Sequence, residues 1–378
     1  MHSRSSSVSL PLILSLLPFV LAQSSSVSEP ASSPVTTLYT TLSSSGSASS
    51  TSMSASPSST SSPMGTGSQN ATYLTGLLAA LDGLNLGALV NATKQINGTD
   101  TGSELLAALS ENAENRQLTL FAPTNEAFTG VASNISSSPS LLANVLSYHI
   151  VSGNFTNLTQ SYPNTTVGRT MLSDMSLVQL GGKDQVLAWS RMSNGNITIL
   201  NQNTAVSVSQ QTQYQNIHIN VVDAVIDVPG DLQAALASNN LSSLSTILSS
   251  VQASNGQGSL LSVLNDNMQG FSLFAPTDAA ISAVQSQLSS SGTDSSSLMT
   301  LLGNHIINGT AAYSPNFMEQ NYTSAAGEPL DVMANSTGVF VFSGNGSMMA
   351  MASMLSIGLL HVDLTRCAIG DEAGRDFA

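Results

Sequence analysis

The amino-acid sequence predicts an α+β fold arranged as two tandem domains, and three observations lead to that prediction. One motif occurs twice, at residues 118–128 and again at residues 271–281. In each repeat, leucines at helical spacing come first and stretches with strand-like alternation follow, an order typical of an α+β domain. A chain of 378 residues is long enough for two domains with separate cores.

The N-terminal part is predicted to lie outside both domains. Residues 1–22 contain an apolar run from Leu10 to Leu21 and then the small residue Ala22, which is typical of a cleaved secretory signal peptide. The alternative, a transmembrane anchor, is disfavoured because the run is too short to span a bilayer. Residues 23–69 are mostly Ser and Thr with scattered Pro, so we expect a disordered stalk of the O-glycosylated type.

Domain 1 is predicted to span residues 70–229. Leucine spacing indicates helices at 74–81 and 105–109, ahead of the motif. After the motif the period changes to two, which predicts strands at 197–200, 205–208 and 217–221.

Domain 2 is predicted to span residues 230–367 and to copy this order. Leucines indicate helices within 232–264 and at 298–307, and alternation indicates a strand at 339–342. Only Gly230 and Asp231 separate the predicted closing strand of domain 1 from the first predicted helix of domain 2, so we expect the two domains to be docked with restricted motion.

The end of domain 2 departs from the pattern of domain 1. Residues after Asp363 lack the Val-hydrophobic-x-Pro ending found at 225–229, so we expect an atypical C-terminal strand. Residues 368–378 form a polar tail without an apolar segment that could direct a lipid anchor.

Each copy of the motif predicts a strand that runs into a capped helix. The copies are Leu-Thr-Leu-Phe-Ala-Pro-Thr-Asn-Glu-Ala-Phe and Phe-Ser-Leu-Phe-Ala-Pro-Thr-Asp-Ala-Ala-Ile. Proline ends strand pairing without leaving an amide hydrogen unpaired, and threonine is a good N-cap. A structural role is therefore assigned to Phe121, Pro123, Thr124, Phe274, Pro276 and Thr277.

This motif resembles the first signature of the fasciclin domain, Thr-hydrophobic-Phe-Ala-Pro-Thr-Asn/Asp-x-Ala-Phe. Two later landmarks extend the resemblance over roughly residues 70–367: a Tyr-His pair and a closing strand that contains Asp. In domain 1 these are Tyr148, His149 and Asp223, whereas domain 2 has Asn304 before its histidine. The matching residues of domain 2 are His305 and Asp363.

The resemblance has implications for fold and function. It implies that each domain is a β-sandwich or wedge with a helical layer, and that Asp223 and Asp363 anchor backbone near the closing strand. It also implies an adhesion role in which Tyr148 and His149 are candidate binding residues, with His305 their weaker counterpart. The same layout occurs in secreted or wall-associated fungal proteins.

Sequons for N-glycosylation are unusually frequent. In a secreted chain an occupied sequon must lie on the surface, because the attached sugar is bulky and hydrophilic. The candidate sites are Asn70, Asn91, Asn97, Asn134, Asn154, Asn157, Asn164, Asn196, Asn240, Asn308, Asn321, Asn335 and Asn345.

Charge and cysteine content narrow the partners. The formal net charge is −14 and only 8% of residues are charged, so neither nucleic acid nor an anionic membrane surface is an expected partner. The single cysteine, Cys367, excludes an intramolecular disulfide.

The sequence contains none of the common catalytic or phosphate-binding motifs, and it indicates no metal site and no cofactor. His149, His218, His305 and His361 lie far apart in sequence in apolar segments, so a hydrogen-bonded structural role for His149 and His305 is favoured over catalysis.

We therefore expect a non-catalytic extracellular adhesion protein that binds an extracellular protein or a cell-wall or matrix polysaccharide. The alternative is a polysaccharide-binding protein, a small-ligand carrier or an enzyme that uses a cleft between the domains.

Overall fold

The structure is a computed structural model that describes residues 66–110, 116–162, 164–253, 256, 258–266, 268–283, 295–313, 321–335, 338–343, 348–355 and 364–370. The predicted signal peptide, most of the predicted stalk and residues 371–378 lie outside the described residues, as do Asn345, His361 and Asp363. No helix in the described part of the chain is both long enough and apolar enough to cross a membrane.

Domain 1 begins with helices. Ahead of the first strand lie α1 (Thr66–Gly83), α2 (Gly87–Ile96) and α3 (Asp100–Ser110), and after it come a 3-10 turn (Ala127–Gly130), α4 (Ser133–Ser136) and α5 (Pro139–Tyr148). Helix α1 thus starts before the predicted domain boundary at Asn70. It is part of the domain, because Tyr73, Leu77 and Leu81 are buried in the helical core.

The strands of domain 1 form one seven-stranded sheet in the order β2-β1-β7-β6-β5-β4-β3. The pair β1–β7 is parallel and every other pair is antiparallel. The strands are β1 (Leu118–Pro123), β2 (Ile150–Ser152), β3 (Thr166–Arg169), β4 (Val186–Arg191), β5 (Ile197–Ile199), β6 (Val206–Tyr214) and β7 (Ile217–Val222).

This sheet folds over on itself. The rings of Phe121 on β1 and Trp189 on β4 meet edge to face at 5.3 Å between centroids, although three strands separate β1 from β4 in the sheet order. A bridge between Val151 and Thr170 brings the two ends of the sheet together. One core therefore lies inside the folded sheet and a second lies between the sheet and the helices, as in a wedge with a helical layer.

Alternation along the strands explains the two cores. In β7, Ile217, Ile219 and Val221 contribute to the core under the helices, whereas Val222 contributes to the core inside the sheet. Successive side chains of a strand point to opposite faces, so a strand buried on both sides supplies both cores.

Domain 2 repeats the element order. Helices α6 (Leu232–Ser238), α7 (Ser242–Ser250) and α8 (Leu260–Asp266) precede β8 (Phe271–Leu273), and α9 (278–283) and α10 (Ser295–Gly303) precede β9 (Ile306–Asn308). The helix predicted at 298–307 is therefore too long. It ends at Gly303, and the β-branched pair Ile306 and Ile307 instead forms an antiparallel strand with β8.

A separate five-stranded sheet completes the described part of domain 2. Its order is β10-β11-β12-β13-β14, all antiparallel. The strands are β10 (Tyr322–Thr323), β11 (Pro329–Asn335), β12 (Gly338–Ser343), β13 (Met348–Leu355) and β14 (Leu364–Gly370). Strand β14 lies at an edge beside β13, whereas β7 of domain 1 lies in mid-sheet between β1 and β6.

The two domains contact each other. The amide of Gly270 donates a hydrogen bond to the carbonyl of Gln179 at 2.8 Å. The guanidinium of Arg169 lies over the ring of Tyr313 at 5.3 Å, and Ala311 packs against the core inside the sheet of domain 1. The joint is longer than predicted, because β7 ends at Val222 and α6 begins at Leu232. The contacts themselves fit docked domains.

Candidate functional site

The repeated motif forms the same capped turn in both domains. Thr124 Oγ1 accepts a hydrogen bond from the amide of Ala127 at 3.2 Å, and Thr277 Oγ1 accepts one from Ala280 at 3.1 Å. Phe121 and Phe274 are buried beside these turns, and Pro123 and Pro276 lie immediately before the threonines. Phe121 and Phe274 therefore contribute to the cores of their domains, and the two threonines cap the turns.

The residue after each threonine has a role that the sequence did not reveal. Asn125 Oδ1 accepts a hydrogen bond from the amide of Ala88 at 2.8 Å, at the start of α2. In domain 2, the carboxylate of Asp278 accepts bonds from Ser242 Oγ at 2.7 Å and from the amide of Ser243 at 3.0 Å, at the start of α7. Neither α2 nor α7 has a side-chain cap of its own, so the motif caps an upstream helix.

His149 connects the end of α5 to the segment after β7. Its Nε2 accepts a hydrogen bond from the amide of Ile226 at 2.9 Å, so the proton of the neutral ring is on Nδ1, which donates to the carbonyl of Val145 at 2.7 Å. The side chain is 0% exposed. Burial lowers the pKa of His149 to about 4, and the bond to Val145 opposes that change only in part.

Tyr148 is also inside the domain. The side chain is 1% exposed, and its hydroxyl donates to the carbonyl of Val186 on β4 at 3.1 Å. Burial raises the pKa of Tyr148 far above its ordinary range. The expectation that Tyr148 and His149 form a contact surface therefore does not agree with the structure, because a partner could not touch either side chain without opening the core.

The counterpart in domain 2 has half of this arrangement. His305 Nδ1 lies 2.9 Å from the carbonyl of Leu301, the same bond one helical turn back that His149 makes. Burial lowers the pKa of His305. Asn304, which replaces the tyrosine, accepts a hydrogen bond from Ser324 Oγ at 3.0 Å. His305 thus also occupies a structural position at the end of its helix.

The closing aspartate of domain 1 anchors backbone. Asp223 Oδ1 accepts a hydrogen bond from the amide of Ser207 at 2.7 Å, and the amide of Asp223 donates to the carbonyl of Ser207 at 3.2 Å. This geometry corresponds to the anchoring role that the family resemblance implies.

A polar cluster lies among the strands of domain 1. The amide nitrogen of Gln211 donates to Asn220 Oδ1 at 2.7 Å and lies 3.3 Å from His218 Nε2. Burial lowers the pKa of His218, and the hydrogen bond with Asn220 opposes that change. The cluster contains no carboxylate, and in the part of the chain that the structure describes no group of three or more His, Cys, Asp or Glu side chains could hold a metal ion.

One surface segment, which we call the strap, consists of residues 153–162 and 164–165 between β2 and β3. Two large side chains on it are exposed, Leu158 at 58% and Tyr162 at 63%. The strap is nevertheless held to β4, because the amide of Tyr162 donates to the carbonyl of Arg191 at 2.9 Å and the amide of Arg191 donates to Gln160 at 2.8 Å. One signal for this segment is present in the sequence, because Phe155 and Tyr162 each lie two residues before a sequon asparagine, Asn157 and Asn164.

The sequons lie on the outside of the fold wherever their side chains are described. Asn196 is partly exposed, and the others with a described side chain are exposed, namely Asn91, Asn97, Asn134, Asn154, Asn157, Asn164, Asn240, Asn308 and Asn321. Asn70 lies in α1 and Asn335 at the end of β11. These positions are compatible with attached sugar.

These features define a class: a two-domain α+β protein in which each repeat has the same motif strand, capped turn and a histidine at the end of a helix. The family model of the fasciclin domain matches residues 93–229 and 242–362. The chain therefore belongs to the fasciclin domain family. Among solved structures it is similar to a FAS1 domain pair from the insect cell adhesion molecule fasciclin I. The identity is 13% over 74% of this chain and 95% of that chain, with a TM-score of 0.33. No curated protein matches the chain.

Proposed function

We propose that this chain is a secreted, non-catalytic adhesion protein whose paired fasciclin domains bind an extracellular protein or a cell-wall or matrix polysaccharide. The observation that carries the proposal is the family match in both repeats, because fasciclin domains are generally adhesion modules. The predicted signal peptide at 1–22 and the Ser/Thr-rich stalk before the domains support an extracellular place.

The surroundings of the histidines favour binding over catalysis. A general base needs a reacting group within hydrogen-bond reach and a partner that orients it. Both nitrogens of His149 are occupied by backbone groups, His305 Nδ1 lies beside a backbone carbonyl, and His218 lies among side-chain amides. None of these three arrangements supplies a nucleophile next to its base.

The burial of Tyr148 and His149 moves the proposed contact to the outer surface. That surface carries few charges and many exposed sequons, so hydrogen bonds and apolar contacts have to supply the affinity, with little contribution from ion pairs. The contacts of Arg169 with Tyr313 and of Gln179 with Gly270 hold both domains together, which favours presentation of the pair as one unit.

The proposal is tested with the purified, secreted glycoprotein on protein and polysaccharide arrays and in a cell-attachment assay. We expect saturable binding that is lost after thermal unfolding. A parallel sample with its sugars removed enzymatically shows whether the polypeptide or the glycan makes the contact. Retention of the protein inside cells, or turnover in a hydrolase and esterase panel, would contradict the proposal.

A further inference from the structure

Tyr162 has an exposed aromatic ring, with 63% of the residue accessible to solvent. Among the described residues whose side chains can be assessed, it is the one aromatic side chain in the exposed class. Its position is fixed, because its backbone amide is bonded to the carbonyl of Arg191 at 2.9 Å. A large aromatic ring that is exposed on an anchored backbone offers an apolar face that an attached group, such as a sugar, can cover.

Asn164 lies two residues after Tyr162 in the chain. Its amide donates to the carbonyl of Ser161 at 2.9 Å, so the backbone of Asn164 is tied to the residue before Tyr162. The carbonyl of Asn164 accepts a hydrogen bond from Ser190 Oγ at 2.8 Å, which also fixes Asn164 to β4. Asn164 is exposed and begins the sequon Asn-Thr-Thr.

We propose that Asn164 carries an N-linked glycan whose first sugar packs on the face of the Tyr162 ring. The face of an aromatic ring is the negative end of its quadrupole, and the C–H groups of a pyranose offer partial positive charge and apolar surface to it. The strap of domain 1 is then stabilised by its own sugar. This inference rests on the proposed secretion, because the attachment occurs in the secretory pathway.

The attachment step is a substitution at the anomeric carbon of a lipid-diphosphate-linked oligosaccharide. A bond forms between Asn164 Nδ2 and C1 of the first sugar, and the bond from C1 to the diphosphate oxygen breaks. One amide proton is released, and the lipid diphosphate leaves. The host transferase carries out this step.

The fold also indicates when the sugar is added. Thr166, the hydroxyl residue of the sequon, is buried, and its Oγ1 accepts a hydrogen bond from the amide of Gln160 at 2.8 Å and donates one to Leu158 at 3.3 Å. A transferase that needs this hydroxyl has to act before the strap folds. For the same reason the sequon is best removed by Asn164→Gln, because a change at Thr166 would also break the strap.

The chain contains its own control. Phe155 precedes Asn157 at the same spacing, in Phe-Thr-Asn-Leu-Thr. However, the Phe155 ring already packs edge to face on Trp189 at 4.9 Å between centroids and is partly buried. A sugar on Asn157 therefore has no free ring to cover.

The test compares the secreted wild type with Tyr162→Ala, Asn164→Gln, the double variant and Asn157→Gln. Thermal unfolding of domain 1 is followed by the fluorescence of Trp189, the only tryptophan of the chain. Tyr162→Ala and Asn164→Gln should each lower Tm by about 2–4 °C, and the double variant should fall no further than either one. Asn157→Gln should change Tm by less than about 1 °C, and Tyr162→Phe should keep the wild-type value because the ring remains.

Enzymatic trimming separates the first sugar from the rest. Trimming every glycan to its first sugar should leave Tm within about 1 °C of the untreated wild type, and complete removal should lower it to the value of Asn164→Gln. Additive effects of Tyr162→Ala and Asn164→Gln would overturn the inference. So would an Asn164 found bare by mass spectrometry while other sequons are occupied, an outcome that leaves the proposed function intact. A protein without sugar on any sequon would overturn the inference and the proposed secretion together.

Discussion

Lowering the pH from about 7 to about 4 should weaken domain 1, because His149 cannot take up a proton in its folded position. A proton on Nε2 would break the hydrogen bond that this atom accepts from the amide of Ile226. The charged ring would then be buried beside backbone groups, without a carboxylate hydrogen-bonded to either ring nitrogen. In the unfolded chain the same imidazole is in water and titrates near its ordinary pKa of 6.5.

The sign and size of the effect follow from proton linkage. Between about pH 6.5 and pH 4 the unfolded chain binds a proton that the folded chain does not, so the free energy of unfolding decreases as the pH falls through this window. Because the pKa is about 4 in the folded chain and 6.5 in the unfolded chain, proton linkage gives a loss of about 3 kcal/mol by pH 4. This loss is a large part of the stability of a typical domain.

Among the groups of domain 1 that titrate on the acid side of neutrality, His218 and Asp174 also have shifted pKa values. Burial lowers the pKa of His218, which adds a loss of stability in the same direction as the pH falls below the ordinary histidine pKa. Hydrogen bonds from Ser176 hold the pKa of Asp174 below its ordinary value, so the stability from that carboxylate is lost only at lower pH, as the pH falls through its folded pKa.

The assay again uses the buried Trp189, so that unfolding of domain 1 is observed without domain 2. Urea unfolding is measured across the pH window for the wild type, His149→Gln and His218→Gln. His149→Gln should be less stable than the wild type at about pH 7 but should lose less stability on acidification, by about 3 kcal/mol. An equally steep pH dependence for the wild type and His149→Gln would refute the assignment of His149 as a buried neutral link.

Other predictions concern packing and capping. Gly168→Ala should cost about 1–3 kcal/mol in urea unfolding, because its new Cβ would overlap Val151 Cγ1, while Gly130→Ala, with nothing within 4 Å, should cost less than about 0.5 kcal/mol; equal costs would contradict this packing. Phe121→Ala should cost about 3–5 kcal/mol, and an unchanged melting curve would place this ring on the surface. Asn125→Ala should lower the free energy of unfolding of domain 1 by about 1 kcal/mol, measured by calorimetry. An unchanged unfolding transition of domain 1 would show that the cap on α2 contributes little.

The sequence was sufficient for features that depend on neighbouring residues. The two domains, the turn caps Thr124 and Thr277 and most helices follow from local pattern, because caps and periodicity act within one or two turns. The helix at 298–307 was overextended because an apolar run alone does not separate a helix end from a short buried strand, and the pairing of Ile306 with Leu273 decided the outcome.

Contacts between distant segments could not be predicted in the same way. The hydrogen bond between the Ala88 amide and Asn125 joins residues 37 positions apart, and the one between the Ile226 amide and His149 joins residues 77 positions apart. The pattern around Tyr148 indicates an apolar helix end but not the side of the sheet on which it lies. Tyr148 is buried because its helix end packs against β4, where its hydroxyl donates to the carbonyl of Val186, 38 positions further along the chain.

A comparison of the two repeats shows where the proposed binding surface can lie. Strands β2 and β9 occupy equivalent places, each antiparallel to the motif strand of its own domain. The segment after β9 places Ala311 and Tyr313 against domain 1, so it belongs to the contact between the domains. The segment after β2 is the strap, which carries the exposed Tyr162 ring and three exposed sequons, at Asn154, Asn157 and Asn164. The motif turns and the helix-end histidines serve to hold each domain together. We therefore expect partner specificity to depend on the segments that differ between the domains, such as those after β2 and β9, and on the sugars attached to them.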